Sequence, residues 1–110
     1  MIPYNEIRED AEDSYRERYE EYGVSLSSCF YGYLWEYECG EKHNIIERLC
    51  VYACFICTLI EKGEDYNFLI EEFSELKDKI NFKEVEKELG HDDYSLLEKD
   101  LDEISRHTKM

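Results

Sequence analysis

The sequence predicts an all-α fold: an irregular bundle of about six helices around a central buried helix at about residues 42–62. Three observations point there. Apolar residues recur three and four apart along almost the whole chain, the spacing that lines one face of a helix. Pro3 and the glycines at 23, 40, 63 and 90 cut that pattern into helix-length segments, and no stretch alternates as a strand would. Residues 49–60 are apolar nearly all round, as in a helix surrounded by others.

The first helix is expected over residues 3–22, with Pro3 in its first turn and Gly23 as its stop. Its inward stripe would be Tyr4, Ile7, Ala11, Tyr15, Arg18, Tyr19 and Tyr22. A second helix follows a Ser25 cap, carries Leu26, Phe30, Tyr33, Leu34 and Tyr37 on one face, and ends near Gly40. The third is the central one. A fourth over residues 65–79 aligns Tyr66, Leu69, Ile70, Phe73, Leu76 and Ile80. Asn81 caps a short fifth with Phe82, Val85 and Leu89, and Asp92 or Asp93 precedes a sixth with Tyr94, Leu97, Leu101 and Ile104. No linker or repeat divides residues 1–110, so a single helical domain is expected.

Charge limits the partners. The chain carries 28 Asp+Glu against 13 Lys+Arg, a formal net charge of −15. Direct nucleic-acid binding by neutralising phosphates is excluded, and docking on an anionic membrane is disfavoured. Disorder is not expected either, because ten Tyr, five Phe and one Trp give an aromatic content that disordered chains lack. The opening residues have no cationic start followed by an apolar stretch, as an export signal would, and the 12-residue apolar run falls short of the ~20 needed to span a bilayer. Five cysteines, an odd number, then fit reduced thiols in the cytoplasm.

No catalytic, metal or cofactor motif emerges, and the chain is not expected to be an enzyme. Cys54-Phe55-Ile56-Cys57 has CxxC spacing, but Cys50, Cys54 and Cys57 fall within about 60° of one another in the middle of an apolar helix. A redox pair needs its first thiol at a helix N-terminus, and zinc needs four ligands, so these side chains are expected to line a close helix contact. Cys39 and His43 could meet as thiol and base across Gly40, without a second motif in support, and His91 and His107 stand alone. Carboxylates are too numerous for any one pair to signify general acid–base chemistry.

On the first helix the charge becomes geometric. With Ala11 at 0°, the inward residues lie between about −40° and 80°, and Glu6, Glu9, Asp13, Glu17 and Glu20 between about 160° and 240°. These five carboxylates would form a ridge about 21 Å long, one every ~5 Å. Residues 1–22 hold eight acids to three bases, and only Arg16 is placed to pair with the ridge, at Glu12 or Glu20. On the second helix Tyr31, Trp35 and Glu38 sit at about 140°, 180° and 120° from Leu26, opposite the Phe30/Tyr33/Tyr37 stripe. Either that helix is buried on both sides or it shows aromatics to a partner. Glu36, Glu38, Glu41, Glu64 and Asp65 could extend the negative surface. The partner-binding candidates are thus Glu9, Asp13, Glu17, Glu20, Tyr31, Trp35, Glu38, Glu41, Glu64 and Asp65.

Such a chain is expected to bind a basic protein stoichiometrically, its field speeding the encounter. With the ridge Glu6/Glu9/Asp13/Glu17/Glu20 and the aromatics Tyr31/Trp35, it resembles the small acidic immunity proteins of bacterial contact-dependent growth inhibition and related polymorphic toxin systems. That resemblance implies a cognate partner, the C-terminal nuclease domain of a toxin, neutralised by a complex that covers its active site. Two alternatives stay open: an acidic nucleic-acid mimic, whose ~5 Å spacing only approximates the ~3.4 Å step of phosphates along one strand, and a small helical adaptor.

Overall fold

The computed structural model describes residues 3–38 and 44–108. They form α1 (Tyr4–Ser14), which continues without a break into a π-helical segment (Tyr15–Glu21), then α2 (Leu26–Glu38), α3 (Ile45–Lys62), α4 (Asn67–Lys79), α5 (Phe82–Leu89) and α6 (His91–His107). The all-α architecture is as the sequence predicts. Among the described residues there is no strand.

α3 is the axis of the molecule. Every residue from Leu49 to Leu59 is buried, and Ile46 a turn earlier joins them. The Asn44 side chain starts the helix by accepting from the Ile46 and Glu47 amides. Gly63, at φ +72°, ends it, donating to the Ile60 carbonyl while Glu64 donates to Leu59. That pair of bonds is a Schellman turn, which needs the left-handed conformation that glycine adopts without strain. Helices α1, α2, α4 and α6 surround this axis, and α5 packs on α6.

Each neighbour meets α3 through chemistry its sequence supplies. Phe30 of α2 stands edge-on to Tyr52 and Phe55, with ring centroids 4.7 and 5.2 Å apart, and Tyr33 lies 5.6 Å from Phe55. The buried Tyr33 hydroxyl is satisfied by the Ile7 carbonyl at 3.0 Å, which ties α2 to α1. Ser25 caps α2 by accepting from the Ser28 amide, and Asn81 caps α5 by accepting from Lys83, both as the sequence predicts. α6 differs from expectation: it begins at His91 after Gly90 (φ +84°), so Asp92 and Asp93 lie in its first turn. There they oppose the positive end of the helix dipole, and Asp93 also accepts from the Tyr4 amide. α4 starts at Asn67, two residues later than expected, with Asp65 accepting from the Asn67 amide ahead of it.

The cysteines of α3 occupy the helix contact expected of them. Cys50, Cys54 and Cys57 are buried, and the Cys57 thiol donates to the Asp100 carbonyl of α6 at 3.5 Å. Burial pushes the Cys50 thiol up to about 12 and raises those of Cys54 and Cys57 as well. A redox CxxC requires the opposite shift.

Candidate functional site

The first helix departs from a uniform α-helix, and the departure shapes the surface. From Tyr15 the chain winds as a π-helix, whose i→i+5 ladder advances roughly 80–90° per residue instead of about 100°. Phase lost over seven residues moves each later side chain round the axis. Tyr15 and Tyr19 stay inward, their rings 5.2 Å apart. Arg18 leaves the inward stripe for the side facing α2, and Tyr22, expected inside, is 79% exposed. Glu20 swings off the ridge toward Tyr15 and Tyr19, whose phenols feel its charge. Arg16 accordingly pairs with Asp13 at 2.6 Å rather than with Glu12 or Glu20.

Arg18 then meets a glycine. Its guanidinium lies against Gly32 in the middle of α2, where a Cβ would come within 2.5 Å of Nη1, and it pairs with Glu36 at 2.6 Å. The two helical segments thereby frame an open cleft of about 210 Å³ lined by Asp10, Asp13, Ser14, Glu17, Arg18 and Glu36. Four carboxylates face one guanidinium there. Asp10 accepts the Tyr37 hydroxyl, whose pKa burial and that carboxylate raise.

Beside this cleft stands the crest of α2. Trp35 is 65% exposed and Tyr31 42%, so the helix shows its aromatics and is not buried on both sides. Ser14 supports the hairpin from beneath, its hydroxyl donating to the Cys29 carbonyl at 3.3 Å. On the far side of the crest Tyr31 and Tyr52 both donate to Glu72 of α4. Glu72 belongs to a second, larger opening of about 460 Å³ between α3 and α4, where the Arg48 guanidinium lies 5.8 Å from the Tyr52 ring centre.

The structure thus brings Asp13 and Glu17 together at the cleft, whereas Trp35 stands one turn from Tyr31 on the exposed face of α2. Glu9 is exposed on α1. Glu64 and Asp65 are engaged in the fold: Glu64 accepts the Tyr15 hydroxyl at 3.2 Å, and Asp65 accepts from the Asn67 amide where α4 begins. Glu38 ends α2, whereas Glu41 and the Cys39/His43 pair lie outside the described residues. Asp10 was missed as a cleft residue because a regular helix places it at the edge of the ridge. No group of three His, Cys, Asp or Glu side chains able to hold a metal occurs among the described residues, and no described helix is long and apolar enough to cross a membrane.

No family model matches the chain, and neither a curated protein nor a solved structure matches it.

Proposed function

We propose that the protein is an immunity protein, which binds and neutralises a cognate basic toxin domain of the nuclease class in the cytoplasm. The observation that carries the reading is Trp35, a large aromatic left 65% exposed on a helix crest beside an acid-lined cleft. Leaving an indole in water forgoes the burial free energy that makes aromatics core residues, and exposed Trp next to charged groups is the composition of an interface hot spot. The net charge of −15 adds a long-range field that steers a cationic partner. Nucleases present such a cationic surface, because they grip phosphates.

The break in the ridge at Tyr15 weighs against the nucleic-acid mimic, since a phosphate strand requires an even line of charge. Co-expression tests the proposal. The protein should restore growth to cells producing the C-terminal domain of the toxin encoded directly upstream, and Trp35→Ala should weaken that protection. Unrelieved toxicity with the wild-type chain folded and abundant would refute it.

A further inference from the structure

Resting on the basic partner proposed above, we infer that this partner is held through large apolar side chains, on the face where α2, α3 and α4 surround the larger opening. Six large apolar side chains are exposed among the described residues, and Tyr31, Trp35, Ile45 and Phe68 are four of them. The structure gathers these four. Ile45 lines the opening of about 460 Å³ between α3 and α4, together with Tyr52 and Leu76. Tyr31 reaches its edge, because the Tyr31 and Tyr52 hydroxyls both donate to Glu72, another lining residue. Trp35 follows Tyr31 by one turn on the exposed face of α2, and Phe68 precedes Glu72 by one turn on α4. An apolar face thus runs from α2 across the opening to α4, floored by the rings of Phe30 and Tyr52 at 4.7 Å.

Apolar groups gathered on one face lose burial free energy until a partner covers them, and interfaces are built in this way, apolar at the core and polar at the rim. The charges lining the opening balance, Glu72 and Glu75 against Arg48 and Lys79, so a contact made there is held by burial and shape. The sign of the occupant is set by the molecule as a whole. A second copy would bring another charge of −15 to the face and be repelled, whereas a cationic protein is drawn in. Glu71 and Glu75, exposed on the same face of α4 as Phe68, supply a rim for its cations. The occupant is thus a cationic segment that also carries large apolar side chains. The acids of α1 speed its arrival, and the apolar face slows its departure.

Two labelled peptides of equal length and charge test this by fluorescence anisotropy at about 0.15 M salt, where long-range attraction is screened beyond ~8 Å. One intersperses lysine with leucine and tryptophan, and the other has serine in place of every leucine and tryptophan. The wild-type chain should bind the first roughly tenfold more tightly, the return on burying one large apolar side chain. That advantage should collapse in Trp35→Ala and in Ile45→Ser/Phe68→Ser. It should persist in Tyr22→Ser/Val24→Ser, which removes exposed apolar surface from the turn before α2. Circular dichroism verifies that each variant is folded. Equal affinities in the wild type, an advantage that survives both face variants, or one that disappears in Tyr22→Ser/Val24→Ser would overturn the inference. So would light scattering that finds the chain alone dimeric and Trp35→Ala monomeric, which gives the face to a second copy. Failure of growth rescue would remove the immunity reading alone, whereas rescue without the apolar advantage would remove this inference alone.

Discussion

Gly32 stands in the interior of α2, where glycine is about 0.5–1 kcal/mol less favourable than alanine. Its retention there is explained by Arg18, the far end of a flexible side chain that occupies the space of the missing Cβ. Gly32→Ala should therefore displace the guanidinium and leave the helix intact. An exposed ion pair contributes ~0–1 kcal/mol, so stability should stay within about 1 kcal/mol of wild type in urea titrations. Cysteine reactivity gives a second prediction: Cys29, Cys50, Cys54 and Cys57 are buried thiols with raised pKa values, and they should react with a thiol reagent only as the chain unfolds. The three on α3 were legible from their angular clustering. Trp35 was legible only as a choice, because a wheel gives the direction of a side chain but not whether another helix covers it.

Helix boundaries and inward faces follow the apolar spacing wherever winding stays regular. The stripe Tyr4, Ile7, Ala11 holds, as do the caps at Ser25 and Asn81. Prediction failed where phase was lost: an i→i+5 segment leaves no clear mark in the sequence, and side chains beyond Ser14 turn progressively away from the directions a regular helix gives them. Tyr22, Arg18 and Glu20 moved together for that reason. The other end of α1 is held differently. Arg8 donates to Asp100 at 2.7 Å and to Glu61, and the Tyr4 hydroxyl donates to the same Asp100 at 2.6 Å. Burial lowers the pKa of the Arg8 guanidinium, but Asp100 and Glu61 more than offset that and raise it. Asp100→Ala leaves that guanidinium and a buried phenol short of an acceptor, and should destabilise the fold by about 2–4 kcal/mol in urea titrations. A loss below about 0.5 kcal/mol would show that this cluster does not fasten α1 to α6.

Taken together, the molecule surrounds an apolar axis with phenols and thiols held in their neutral forms. Burial and the Glu64 carboxylate push Tyr15 up to about 12, burial does the same for the Cys50 thiol, and Tyr4, Tyr33, Tyr37 and Tyr52 are raised too. In the unfolded chain these groups ionise near their ordinary values, about 8.5 for Cys and about 10 for Tyr. Between those values and the raised ones the folded state binds more protons, so stability must fall as pH rises. It should be at its full value below about pH 8.5 and decline steadily toward pH 12, followed as the urea midpoint. The surface obeys a separate rule. A net charge of −15 speeds association with a cationic partner, and reversing Glu9, Asp13 and Glu17 should slow that association at least tenfold at low salt and flatten its salt dependence in stopped-flow traces. The central claim is a one-to-one complex with a basic toxin domain. Its most direct measurement is size-exclusion chromatography with light scattering on the chain mixed with the C-terminal domain of the toxin encoded directly upstream. A single peak at the summed mass of one copy of each is the predicted result, and two separate peaks at micromolar concentrations and about 0.15 M salt would contradict it.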